Sequence, residues 1–185
     1  GDIYNTLLDS FNFSALADEM GNVVKCAPNV VAVVFQDGSS GTVATLNVDE
    51  FGQISKTITD SFQFAATCST PKIINVANQT YAIVYVGGDS DGYVTTVQID
   101  SVGNITYTDS KEYDGDGGRT PAIVHWSGSQ YLISYAGTDV DGFIAIQEIL
   151  STGTISGSSS SYEFELQRYR GGDLIKCSDT VCAIA

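Results

Sequence analysis

The chain has 185 residues and a mass of 19.6 kDa, room for one ordinary domain or two very small ones. Hydrophobic residues at 43% and aromatics at 10% supply a core, which excludes a disordered chain. Eight Lys+Arg against 22 Asp+Glu give a net charge of −14, which argues against sequence-independent nucleic-acid binding and against docking on anionic lipid.

No apolar run approaches the ~18 residues of a membrane-spanning helix, so no membrane insertion is expected. The sequence opens at Gly1 without a basic-then-apolar leader, and a processed product or a piece of a longer protein is expected. Charged residues are only 16%, while Gly, Ser, Thr, Val and Ile abound, which is the chemistry of strands and turns. The nearest helical candidate, Ser14–Met20, amounts to one or two turns.

In chain order, Ile3–Phe13 (IYNTLLDSFNF) matches Ile54–Phe64 (ISKTITDSFQF) at a shift of 51. Short apolar strands follow at Asn22–Ala27, Lys72–Ala77, Ala122–Ser127 and Asp173–Ser178, spaced 50, 50 and 51 residues apart. Each leads to a second strand, at Val31–Phe35, Tyr81–Tyr85, Tyr131–Tyr135 and Cys182–Ala185. After the first three of these, a Gly/Asp turn precedes a third strand at Thr42–Val48, Tyr93–Ile99 and Phe143–Ile149. A second turn at Gly52, Gly103 and Gly153 then opens a fourth strand at Ile54, Ile105 and Ile155.

Four short antiparallel strands in ~40–50 residues is the size of a β-propeller blade. The reading is therefore all-β and propeller-like, with three full four-stranded blades (21–70, 71–120 and 121–172). A split fourth blade takes its fourth strand from 1–20 and its first two from 173–185. The competing arrangement is a β-sandwich of tandem hairpins. Regular register over three copies favours blades.

The segment Lys72–Ile105, KIINVANQTYAIVYVGGDSDGYVTTVQIDSVGNI, resembles blade repeats of uncharacterised secreted or cell-surface propeller proteins of archaea and bacteria. It is also distantly similar to integrin-type blades with acidic turns. The resemblance covers most of the chain from residue 22 and implies a fold and an extracellular setting, without a catalytic motif. The first unit departs from it at Gln36–Gly41, where the turn is shorter and carries one Asp.

The split blade leaves three readings open: a ring closed with a defective blade, a fragment of a longer array, or self-association through the terminal strands. In the last, the edge Cys182, Ala183, Ile184 and Ala185 accepts a strand from a second copy.

Candidate sites are few. The second-to-third-strand turns carry Asp89 and Asp91, then Asp139 and Asp141, and the connection into the third unit carries Asp114 and Asp116. Propeller topology places these carboxylates on one face, where oxygen-rich turns suit Ca²⁺; the alternative is that Asp-Gly simply makes the hairpin. Lys25, Asn75, His125 and Lys176 share one slot of the first strand and are expected to line a central channel, as a ligand contact or as a solvated wall.

Cys177 and Cys182 bracket a hairpin turn at disulfide reach, Cys26 and Cys68 form a weaker pair, and buried free thiols are the alternative. The four cysteines and one His make no recognised zinc set. Sequons at Asn12, Asn78 and Asn104 suit an exported glycoprotein. His125 has no nucleophile motif beside it, and no carboxylate pair is singled out for glycoside hydrolysis.

Two functional expectations result. The first is a non-catalytic extracellular or cell-surface structural or adhesive protein that forms multimers or filaments, requires no cofactor, and contacts glycans or cell-surface proteins. The second is a lectin-like binding module that uses the acidic face, with Ca²⁺.

Overall fold

Alternating β-branched and aromatic residues between Gly- and Asp-rich turns fold into fourteen strands, in a computed structural model that describes residues 8–12, 14 and 17–184. The first sheet runs in chain order: β1 (Ala17–Ala27), β2 (Val30–Asp37), β3 (Ser40–Val48) and β4 (Ile54–Ala65). The second repeats it with β5 (Ser69–Ala77), β6 (Thr80–Val86), β7 (Gly92–Ile99) and β8 (Ile105–Asp114). The third holds β9 (Arg119–Ser127), β10 (Gln130–Ala136), β11 (Gly142–Ile149) and β12 (Ile155–Glu165). A two-stranded sheet, β13 (Leu174–Lys176) with β14 (Cys182–Ile184), follows. All neighbouring strands pair antiparallel.

Consecutive hairpins therefore stay in one sheet and are not dealt to two facing layers, as a sandwich of hairpins would require. Among the described residues there is no α-helix, only a single 3-10 turn at Gly88–Ser90, and no helix long and apolar enough to cross a membrane. Residues 17–20, read from sequence as part of a helical turn and placed ahead of the first unit, belong to β1. Ala17, Glu19 and Met20 pair with Asp37, Gln36 and Phe35. The N-terminal match Ile3–Phe13 lies mostly outside the described residues, as does Ala185.

Burial follows strand position. β6 is buried along its whole length because it has a strand on either side and a packed sheet on either face. The fourth strands β4 and β8 expose Lys56, Thr57, Thr59, Ser61, Thr106 and Ser110, which blunts an edge against unwanted pairing.

Packing is sheet on sheet, in sequence order. Ala32, Val34 and Val43 of the first sheet meet Ile73, Tyr81, Ile83, Tyr85, Val97 and Ile99 of the second. The opposite face of the second sheet (Ala82, Val84, Val94) packs on Ile123, Tyr131, Ile133 and Tyr135 of the third. The far face of the third, at Ala122 and Leu132, covers Leu174 of the two-stranded sheet. First strands are the most intimate: β1 lies against β5, β5 against β9 and β9 against β13, while the fourth strands β4, β8 and β12 touch sparsely. The sheets therefore fan outward from their first strands.

Hydrogen bonds repeat with the sequence. The amides of Cys68, Gly118 and Tyr169, each between a fourth strand and the next first strand, donate to the carbonyls of Ser39, Ser90 and Val140 at 2.8, 2.8 and 2.7 Å. The carboxylates of Asp9, Asp60 and Asp109 accept the amides of Ile54, Ile105 and Ile155, each at 2.8 Å. Asp9 thus stands to the first sheet as Asp60 stands to the second, which puts residues 8–12 where the fourth strand of a preceding sheet would run.

Candidate functional site

The first strands converge on a cleft of about 410 Å³ lined by Asn22 of β1, Lys72 and Ile74 of β5, Ala122 and Ile123 of β9, and Asp173, Leu174 and Ile175 in and just before β13. Asn22, Lys72, Ala122 and Asp173 hold one repeat position, three residues ahead of the slot expected to line a channel. Pleating explains the difference: an odd offset along a strand reverses the direction of the side chain. Two side chains of the expected slot serve the turns. Asn75 donates to the Asn78 carbonyl at 3.2 Å, and the His125 ring bonds the Gly128 carbonyl at 3.0 Å while standing edge-on to Tyr131. Lys25 is exposed. Lys176 donates to the Trp126 carbonyl at 2.6 Å, pairs with Asp179 at 3.2 Å and lies over the Trp126 ring.

Within the cleft, Asn22 is already engaged. Its amide nitrogen donates to the Ile73 carbonyl at 2.9 Å and its oxygen accepts the Ile73 amide at 2.7 Å, so the side chain bridges β1 to β5. Gly21 permits that approach, since a Cβ there would sit 2.3 Å from the Pro71 carbonyl oxygen. Lys72 and Asp173 are the charged groups in the lining.

The acidic turns do gather, in two groups. Asp91 is pushed above the ordinary Asp value by partial desolvation and by the charges of Glu112, Asp89, Asp116 and Asp114. Farther along, Glu163 is raised by desolvation and by Asp141, while Asp139 is exposed. Asp114 is committed to the fold: one oxygen accepts the amides of Asp116 and Gly117, the other the Tyr135 hydroxyl at 2.8 Å. Among the described residues, no three Asp, Glu, His or Cys side chains converge in a way that could hold a metal ion.

All four cysteines are thiols. Lys176, not Cys177, stands opposite Cys182 in the β13–β14 register, and the Cys177 amide bonds across the turn to the Val181 carbonyl at 2.9 Å. Cys68 is 2% exposed, and burial with the Glu19 charge nearby pushes its thiol up to about 12. Asn12 and Asn78 are exposed. Asn104 is exposed as well, but its amide nitrogen donates to Asp100 at 2.7 Å, a bond that a glycan would displace.

The last element shows what sequence reading missed. β14 pairs only with β13 among the described residues. Beside it, the outer part of the third sheet is uncovered: Ile146 is 39% and Tyr162 71% exposed. Register makes Ile146 the counterpart of Thr45 and Thr96, which are fully buried and donate to the Gly103 and Gly153 carbonyls at 2.6 Å. Ser160 likewise replaces Asp60 and Asp109. Both inter-sheet staples are thus lost on one face of one sheet, a break in the repeat that was visible in the sequence. Compared with protein-family models and with curated proteins, the sequence matches no family and no curated protein.

Proposed function

We propose that the chain is a non-catalytic, extracellular structural or adhesive protein whose sheets are propeller blades, and that it assembles through its split fourth blade. The convergence of β1, β5, β9 and β13 on one cleft supports the ring, because a straight stack would hold β1 and β13 apart. Residues 8–12, tied to Ile54 through Asp9, take the fourth-strand place of the split blade, and β13 and β14 take the first and second.

The observation that carries the assembly is the uncovered apolar strip of Ile146 and Tyr162 beside the unpaired edge of β14. In the first two blades that strip lies under the third strand of the next. A strand from a second copy, apolar on the face toward Ile146, would pair with Cys182–Ile184 and bury it. The exposed sequons at Asn12 and Asn78 and the low Lys content suit the extracellular setting. Light scattering and electron microscopy test the reading. Species well above 19.6 kDa are expected for the native chain, and folded monomer for Ile146→Glu with Ala183→Glu. A native chain that stays monomeric at high concentration contradicts it.

A second reading, a lectin-like module using Ca²⁺ on the acidic face, has the crowding of carboxylates around Asp91 in its favour. A calcium-dependent rise in the unfolding temperature supports that reading, and none removes it.

A further inference from the structure

The chain has only three arginines, Arg119, Arg168 and Arg170, and all three line one groove of about 190 Å³ with Thr120, Ala136, Val140 and Tyr169. An adjoining groove of about 390 Å³ shares Thr120 and Arg170 with it and adds Thr70, Lys72, Pro121 and Asp173. Half of the eight cationic side chains of a protein with a net charge of −14 are therefore gathered in one place.

Chance placement on an acidic surface would leave these groups paired with carboxylates. The ion pairs among the described residues are Lys56–Asp9 and Lys176–Asp179, and neither involves the four. Two carboxylates stand nearby. Asp173 lines the larger groove, and Glu19 accepts the Thr70 amide at 2.8 Å. Thr70, which lines the larger groove, and Tyr169, which lines the smaller, each keep a buried hydroxyl without a partner.

The walls are held in place. Tyr169, between two of the arginines, anchors its amide on the Val140 carbonyl at 2.7 Å, and its ring packs edge-on against Phe164. Thr70, Thr120 and Gly171 occupy one repeat position and share a left-handed backbone, with φ of 48°, 49° and 85°. Gly171 lies so close to Thr120 that a Cβ would come within 2.4 Å of it.

We infer that the paired grooves bind a small ligand carrying two or more oxyanion groups. Guanidinium forks take carboxylate, phosphate or sulfate in two parallel hydrogen bonds, and two arginines on one short loop suit a ligand with neighbouring anionic groups. The strongly negative net charge selects against long polyanions, whose far segments would meet repulsion, and the groove volumes fit a compact molecule. The larger groove adjoins the central cleft through Lys72 and Asp173, and neither groove includes a residue of β14.

Titration calorimetry at low ionic strength, on the full chain, tests the assignment with citrate, pyrophosphate and acetate as probes. Binding of citrate or pyrophosphate with acetate inert is expected, and which of the two binds tells carboxylate from phosphate chemistry. Arg168→Ser and Arg170→Ser, each exposed and so expected to leave the unfolding temperature unchanged, should weaken binding by about tenfold apiece. Arg119→Ser gives a third, independent loss, and Lys25→Ser, outside the grooves, should change nothing. Equal heats for acetate, or unchanged affinity in the arginine variants, overturn the inference. So does salt-sensitive dimerisation abolished by the same variants without any binding of the probes, since the cations would then serve the acidic turns of a second copy.

Discussion

Thr96 donates its hydroxyl to the carbonyl of Gly153, 57 residues ahead, at 2.6 Å, and both residues are buried. Thr45 does the same to Gly103. This bond ties the third strand of one sheet to the turn between third and fourth strands of the next. Replacing Thr96 with Val keeps the shape and strands the carbonyl, so a loss of about 1–3 kcal/mol in urea unfolding is expected. Ile146→Val, at the same repeat position where no such turn follows, should cost well under that. Equal losses at the two positions would show that the hydroxyl is idle.

Close ring-on-glycine contacts make a second test. A Cβ on Gly92 would lie 2.3 Å from the ring of Tyr113, and one on Gly41 would lie 2.4 Å from Phe64. Tyr113 is buried and its hydroxyl donates to the Gly118 carbonyl at 3.0 Å, so the ring cannot step aside. Gly92→Ala is therefore expected to destabilise by about 1–3 kcal/mol. Gly88→Ala, where a Cβ would meet nothing within 4 Å, is the matched control, and its thermal midpoint should move far less.

Thiol chemistry should rank the cysteines by environment. Cys177 is exposed, whereas Cys68 is buried with its thiol pushed up to about 12. Iodoacetamide followed by peptide mass mapping should modify Cys177 first and leave Cys68 untouched until unfolding. Early labelling of Cys68 would mean that the first two sheets separate readily.

Two aspartates should titrate in opposite directions. Hydrogen bonds from the Asn104 side chain and amide hold Asp100 below the ordinary value of 3.8. Its contribution to stability is present above 3.8 and fades as pH falls through its lowered folded value. Asp91, raised by desolvation and four neighbouring carboxylates, favours its protonated form, so its contribution is full below 3.8 and is lost as pH rises through its raised value. Asp91→Asn should thus stabilise at neutral pH and do nothing in acid, while Asp100→Asn should destabilise at neutral pH. Carboxyl-carbon NMR titration checks the order of the two midpoints.

Strand periodicity and spacing made the repeat readable because buried strands must recur with the sheets they build. Tyr81 and Tyr131 even repeat their contacts, donating to the Cys26 and Val76 carbonyls of the preceding sheet. The direction of the first-strand side chains was not readable. Register shifts between Met20 and Val23, and between Ser69 and Lys72, decide which residue faces the cleft, and such bulges depend on pairing that spacing cannot reveal. The arginines escaped notice because Arg119 opens β9 while Arg168 lies on the connection after β12, and the two meet only in the folded chain.

We propose that the sheets curve round so that the first and the two-stranded sheets share one cleft. Val23 and Ile175 mark the two sides of that seam and are 59% and 55% exposed. The counterparts of Val23, at Ile73 and Leu174, are buried against the sheet before them, and the counterpart of Ile175, at Ile74, packs against the sheet after it. Electron–electron distance measurement between spin labels at Val23→Cys and Ile175→Cys, in a cysteine-free background diluted with unlabelled chain, reads the seam directly. A single distance near ~15–20 Å is predicted once label length is added to the ~10 Å spacing of packed sheets. Four sheets in a straight stack would separate the sites by ~30 Å or more, and that distance would contradict the account.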